Sequence, residues 1–458
     1  MSGQKTMIND LTTGSVWKKL IIFALPFMLS SALQTLYSTV DMIIVGQWVG
    51  GAGLSAVATA SSVVMFVTSI GMGFSTGGQI VISQLVGAGR RDEIKSTIGT
   101  LFSSLAVLAL ITGSAAIIFN RQLLELLNAP KETFESAQAY LIINAAGALL
   151  TYGYNSVSSI LRGMGDSKHP LVFIAIASVI NLVLDYVFVA IMDFGVAGAA
   201  IATVIGQAVA FVVAIIYLYR HKEAFLFDFR LSSFRPDSEK LKVLFKLGTP
   251  MALQSCAIDL SMSVINGIVN TYGVAASAAY GVGMKLDRLT GIATNALWTG
   301  GATMVGQNVG AGKYDRATKT VYTSMAICTI FCGTFAVIYT LFPRQLFGLF
   351  TTDPEVLDLA WTYLLTCVIM QPASILATSC NAVIEGTGNA GLSLAIALLD
   401  GIVLRIALSI LLGSGLGMGL FGFFLGNNLA MYGTAIPAAI YFWSGLWKKR
   451  RLLVHENS

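Results

Sequence analysis

The sequence predicts an all-α integral membrane protein, with twelve transmembrane helices arranged as two six-helix repeats. Three observations predict it. Charged residues make up only 11% of the chain, about half the share of a soluble domain, and the mean hydropathy is +0.75. Apolar stretches of about 20 residues, long enough to cross a bilayer, recur from end to end. The second half also repeats landmarks of the first at an offset of 223 or 224 positions.

In order, the apolar spans cover roughly 18–44, 53–84, 96–119, 134–156, 169–192, 196–219, 244–270, 277–308, 319–341, 357–380, 391–412 and 419–444. The first is too long for a cleaved signal peptide and contains Pro26 and Asp41, so it reads as a retained helix. The net charge of +5 does not point to nucleic acid, because the bases follow alternate loops. With the N-terminus placed in the cytoplasm, that side holds 22 Lys and Arg, from Lys5 to Arg451. The opposite side holds three, Arg121, Lys131 and Arg344. This is a positive-inside pattern for a multi-pass protein of the cell membrane with both termini cytoplasmic. The five cysteines all fall in apolar spans. Cys328 and Cys332 are one turn apart on one helix, so they read as packing residues rather than a bridge.

The repeat is visible in paired landmarks. Pro26 matches Pro250, and Gln84–Asp92 matches Gln307–Asp315 through a shared Val-Gly-Ala-Gly. Phe119-Asn-Arg-Gln-Leu123 matches Phe342-Pro-Arg-Gln-Leu346. Arg162-Gly-Met-Gly165 matches Glu385-Gly-Thr-Gly388, and Gly195–Gly198 matches Gly419–Gly422. Six spans per half give both halves the same orientation, so the repeats are parallel, about an axis near the membrane normal. The expected division is an N-lobe at 1–219, a basic cytoplasmic linker at 220–246 and a C-lobe at 247–458. The Gly-Ala-Gly turns end the second span of each half and read as helix caps. They lack the spacing and the Gly-Lys-Ser/Thr of a phosphate loop. Pro26 and Pro250 predict kinks in spans 1 and 7, for gating or for packing.

Charges inside the spans are the main functional signal, because a charge in the bilayer interior is costly and is kept when paired or used. Asp41 and Asp185 lie in the N-half, which has no base within its spans. Asn181 and Asp185 are i,i+4 and share a face. Counted from the outer loops at a rise of about 1.5 Å per residue, Asp185 and Thr203 sit roughly 12 Å deep and Asp41 roughly 9 Å. Two carboxylates, an amide and a hydroxyl at similar depth make an oxygen-rich site for a hard cation, or a proton relay. The repeat positions, Ile265 and Leu408 or Ser409, do not preserve it. Gln34 and Tyr37 share a face of span 1 with Asp41, either as a path to the site or as interhelical hydrogen bonds.

The C-half holds Asp259, Asp287 and Asp400 with Lys285, Arg288 and Arg405. The first expectation is a structural or gating network. The rival places Lys285, Asp287 and Arg288 in a substrate cavity, with Asp259 as a further interior carboxylate.

With two six-helix halves, Val-Gly-Ala-Gly at 86–89 and 309–312, Arg162-Gly-Met-Gly-Asp166 and the N-half acids, the chain resembles the multidrug and toxic compound extrusion (MATE) family of prokaryotes over essentially its whole length. The resemblance implies a V-shaped pair of lobes opening outward and export of amphipathic, often cationic, compounds in exchange for H⁺ or Na⁺. It also implies that Asp41, Asn181, Asp185 and Thr203 form the buried cation or proton site. They are the only metal ligands it implies, and only for Na⁺. Some members use acids on spans 7 and 10 for sodium. Span 10 here has none inside, Glu385 lying at its cytoplasmic edge, so the branch with N-lobe coupling fits.

The expected partners are small organic molecules and the lipid bilayer, with no nucleic acid and no cofactor beyond the coupling ion, and the chain is expected to act as a monomer. A flippase for a lipid-linked oligosaccharide is the alternative, although it calls for a basic cavity. An enzyme is not expected. The three histidines, His169, His221 and His455, show no metal spacing. A receptor is not expected either, for lack of an extramembrane domain.

Overall fold

The computed structural model describes residues 8–450, with the side chain of Asp259 also outside the description. Lys5, Arg451 and His455 lie outside it, and with them the expected positions of both termini. The described chain is helical throughout, with no strand among the described residues. Nine of these helices are long and apolar enough to cross a membrane.

The spans are 1 (Val16–Trp48), 2 (Gly50–Gly87), 3 (Arg91–Ile118), 5 (Lys168–Ile191), 6 (Gly195–Arg220), 7 (Ser238–Asn270), 9 (Tyr314–Leu341), 10 (Ala360–Gly386) and 11 (Ala390–Gly415). The other three expected spans are present with departures. Span 4 is broken at Gly147 into Phe134–Ala146 and Ala148–Gly163. Span 8, Val274–Gly310, is a continuous helix carrying Lys285, Asp287 and Arg288. Span 12 is broken at Ala430 into Gly419–Leu429 and Met431–Trp443. Large apolar side chains such as Leu110, Ile111, Ile118 and Ile330 are exposed on the spans, as a lipid-facing surface requires.

The repeat is written in the backbone. Gly89 and Gly312 both take positive φ, +71° and +72°, the left-handed C-cap conformation that glycine adopts most easily. Arg90 N–H then closes on the Leu85 carbonyl at 3.0 Å, and Lys313 N–H on the Asn308 carbonyl at 2.7 Å. A π turn follows Asp185 at Tyr186–Ile191, and another occupies the matching stretch Leu411–Gly415. Span 11 has an additional π turn, Leu399–Leu404, without a counterpart in span 5.

The chain forms two compact units. One holds residues 8–10 and Leu25–Ala252; the other holds Leu11–Ala24 and 253–450. The linker expected at 220–246 belongs to the first unit. Its Lys95–Asp228 ion pair (2.7 Å) and the Ser103 hydroxyl bonded to the Phe234 carbonyl fasten it to span 3. Gly99 permits this approach, since a Cβ there would meet the Ser233 carbonyl oxygen. The start of span 1 belongs to the second unit, where Phe23 and Leu20 pack on Gly300. Pro26 and Pro250 lie inside continuous helices, each within three residues of where the chain changes unit. Proline removes a helical hydrogen bond there.

Each unit has its own core. In the first, Ile44, Val57, Leu141, Val189 and Ala200 pack together. In the second, Ile265, Tyr280, Leu364 and Phe424 do so. Tyr280 takes the place of Val57 and Phe424 that of Ala200, and the two rings stack at 5.9 Å.

Candidate functional site

The N-half site is built on three spans. Span 5 brings Ser178, Asn181 and Asp185 onto one face by its i,i+3/i,i+4 periodicity. Span 6 contributes Thr203, Gly206 and Gln207 from a similar face, and span 1 contributes Tyr37 and Asp41. Gly206 lets spans 5 and 6 approach, for a Cβ there would stand 3.1 Å from the Asn181 Cβ. Tyr37, Ile174, Ala177, Ser178, Asn181, Thr203, Gly206 and Gln207 line a small cleft. Asp185 lies one turn beyond Asn181, and Asp41 one turn beyond Tyr37.

Both acids are buried, Asp185 completely. Asp185 lies within the field of Asp41, and both act on the Tyr37 and Tyr140 hydroxyls. Among the described residues neither forms an ion pair. Oδ1 of Asp41, both carboxyl oxygens of Asp185 and both polar atoms of the Asn181 amide have no hydrogen-bond partner of good geometry. Burial of this kind is tolerated when a proton or cation satisfies the charge. The donor set is oxygen throughout, two carboxylates with amide and hydroxyl company, which suits H⁺ or a hard cation such as Na⁺. Contrary to the expectation of no base within the N-half spans, Arg162 lies in the last turn of span 4, because that helix runs on to Gly163. That base is engaged elsewhere. Its Nε donates to Gln79 Oε1 at 2.9 Å and its guanidinium lies over the Phe27 ring.

The sequence-expected residues separate into groups. Tyr37, Asn181 and Thr203 share the cleft, with the two acids beside it. Gln34 is exposed and does not line the cleft. Gln207 and Tyr140 were not singled out from the sequence. Gln207 lies beside the Tyr37 hydroxyl and Ser61 beside that of Tyr140. Gln207 lies one turn from Thr203, and that spacing was the available signal.

The C-half charges do not form one network. Asp400 and Arg405 pair at 2.9 Å. Thr434 donates to the other Asp400 oxygen at 2.8 Å, and Arg405 donates to Asn427 Oδ1 at 3.1 Å. The chain of hydrogen bonds continues from Asn427 to Asn428 and from Asn428 to Thr366. The π turn makes the pair. Five residues along an α-helix are about 140° apart, whereas the wider i→i+5 turn returns them to nearly one face. Asp287 is half-buried in the field of Arg405. Lys285 and Arg288 are exposed, outside that network.

The sequence pattern of the MatE family matches residues 26–187 and again 250–411. The chain belongs to the multidrug and toxic compound extrusion (MATE) family. Its relatives include the probable multidrug resistance protein YpnP of Bacillus subtilis, 31% identical over 98% of this chain and 99% of that one. The multidrug export protein MepA of Staphylococcus saprophyticus is 26% identical over 87% of this chain and 88% of its own. Among solved structures, an outward-facing multidrug resistance MATE transporter of the MOP superfamily superposes with a TM-score of 0.90 at 21% identity. That match covers 98% of this chain and all of the other. A MOP superfamily transporter from Pyrococcus furiosus, described as having a binding pocket of reverse polarity, gives 0.88 at 22% identity and the same coverage. The MATE fold and its duplication therefore hold over the whole chain, as a multi-pass membrane protein of a transporter family. Within that fold, the first half carries two buried acids, Asp41 and Asp185, that form no ion pair among the described residues.

Proposed function

We propose that this MATE chain is a secondary antiporter that exports amphipathic organic compounds in exchange for H⁺ or Na⁺. The observation that carries the reading is the pair of buried carboxylates, Asp41 and Asp185, with no base among the described residues to neutralise them. The names of its relatives, a multidrug resistance protein and a multidrug export protein, support the export of drug-like molecules.

In this mechanism Asp41 and Asp185 take up the cation from outside, helped by Asn181 and Thr203. Neutralising them removes the penalty on burying the acids, so spans 1, 5 and 6 repack and substrate is released outward. Return to the inward state delivers the cation to the cytoplasm. Each positive charge moving inward supplies about 2.3 kcal/mol per 100 mV.

The test is efflux of a fluorescent organic cation from proteoliposomes under a pH gradient or a Na⁺ gradient applied separately. Wild type is expected to respond to one gradient, naming the coupling ion, and Asp41→Asn is expected to lose that response while remaining folded. Unimpaired gradient-driven export by Asp41→Asn overturns the assignment. Absence of flux under either gradient in folded wild type transfers the weight to a flippase of a lipid-linked amphiphile.

A further inference from the structure

Span 8 is a 37-residue helix, Val274–Gly310, whose midpoint is Ile292. Gly281, Lys285, Arg288, Ile292, Asn295 and Thr299 follow one another at alternating steps of four and three, so they form a single stripe. Gly281, Lys285, Arg288 and Asn295 are exposed, and Ile292 is the one large apolar side chain on the stripe. The opposite face, with Leu286, Thr290, Ala293 and Leu297, is buried. A Cβ added at Gly281 or Gly291 would meet nothing within 4 Å, so open space flanks both bases.

Arg288 lies four residues from the helix midpoint, about 6 Å along the axis. A base turned to hydrocarbon at that depth is rare, and such residues face a water-filled cavity instead. Lys285 leans outward, its Nζ 5.7 Å from the centroid of Phe350 in the connection after span 9. Among the described residues neither base forms an ion pair. Asp287, between them in sequence, is turned from the stripe and lies in the field of Arg405. The stripe thus offers a planar guanidinium near the middle of the helix, an ammonium about one turn toward its N-terminal end and an amide about two turns toward its C-terminal end. A guanidinium fork matches carboxylate and phosphate oxygens two at a time.

We propose that this stripe of span 8 binds an anionic group, a carboxylate, sulfonate or phosphate, carried by the amphiphile that the protein handles, with Arg288 as the principal contact. The proposal rests on the transporter reading and narrows its substrates to amphiphiles that carry such a group, zwitterions included. It differs from an expectation of purely cationic cargo.

Equilibrium binding tests it without any gradient. Full-length protein in neutral detergent is titrated with a carboxyl-bearing rhodamine and, separately, with its methyl ester, by fluorescence anisotropy. The two dyes differ only in the anionic group. Wild type is expected to prefer the acid by about tenfold, the worth of a charge-assisted contact. That preference falls to near one in Arg288→Gln and largely returns in Arg288→Lys. A wild type that treats both dyes alike or binds neither, or an Arg288→Gln that keeps the preference, overturns the proposal. Adding phosphatidylglycerol distinguishes the sources of the group. Displacement of the acid dye assigns the stripe to a lipid head group; no displacement assigns it to a water-borne amphiphile. Either supports the anion site. The transport reading fails separately, if neither dye moves under an ion gradient while the binding preference stands.

Discussion

In span 5, Asp185 precedes a π turn and meets no base among the described residues; in span 11, Asp400 opens a π turn and meets Arg405 at 2.9 Å. The two spans descend from one repeat, yet one leaves a buried carboxylate without an ion pair among the described residues and the other neutralises it within. The same split runs through the cores, aliphatic at Val57 and Ala200 and aromatic at Tyr280 and Phe424. Duplication has preserved the chain path, while the first half retains titratable character and the second holds a closed ion pair. A mobile cation has a reason to enter only where charge remains unbalanced.

The largest expected effect breaks the closed side. Arg405→Met strands Asp400 in the interior, and loss of one partner of a buried pair is worth about 3–5 kcal/mol. Thermal unfolding in detergent is expected to shift down markedly. Combining it with Asp400→Leu is expected to recover most of the loss, since an apolar pair leaves no charge behind. A double variant as unstable as the single one contradicts that account.

On the open side, Asp185→Asn is expected to leave stability nearly unchanged and to uncouple export. If one charge per cycle is lost, the attainable accumulation at 100 mV falls by roughly 50-fold. Steady-state dye gradients in vesicles held at a set potential measure this. A fall in thermal stability with coupling intact would place Asp185 with the structural acids instead.

Thr203→Val sharpens the comparison with a smaller change. A single hydroxyl contributes about 1 kcal/mol. The ion concentration for half-maximal flux is expected to rise roughly fivefold, while the maximal rate persists. A maximal rate that falls with no shift in ion dependence would move Thr203 out of the ion site.

The smallest effect lies at the segment that links the two halves. Hydrogen bonds from Lys95 and from the Ser233 hydroxyl hold the Asp228 carboxyl below the usual carboxylate range. A depressed folded pKa means that the contribution is complete above the unfolded value, about 3.9, and is lost as pH falls through the folded one. Proteolytic nicking of the linker is therefore expected to be unchanged from neutral pH down to about 4 and to quicken only below that. Asp228→Asn should show the quicker nicking already at neutral pH. Equal rates for variant and wild type at neutral pH would assign the linker's hold to its aromatic packing on Phe102.

Much of this arrangement was legible in the sequence. Long apolar runs give spans wherever a helix must satisfy its own backbone in lipid, and an intramembrane aspartate announces itself by its penalty, as at Asp41 and Asp185. Neutral polar residues carry no such signal, which is why Gln207 and Tyr140 emerged only with the fold. The π turn that faces Asp400 toward Arg405 adds backbone without a compositional mark, and the breaks at Gly147 and Ala430 interrupt runs whose hydropathy is continuous. Lys285 and Arg288 were readable as charges, but their exposed stripe depends on which face span 8 buries.

The head of span 1 adds a matter of timing. Leu20 and Phe23 belong to the second compact unit and pack on Gly300, which the ribosome supplies 277 residues after Phe23. At about 5–20 residues per second, that delay is roughly 14–55 s. During it the head of span 1 lacks this packing partner, and Pro26 stands just past the point where the chain changes unit. Over that interval Leu20 and Phe23 depend on lipid or on insertion factors for shelter. Mutations at Gly300 would register first as poor biogenesis, before any effect on transport was measured.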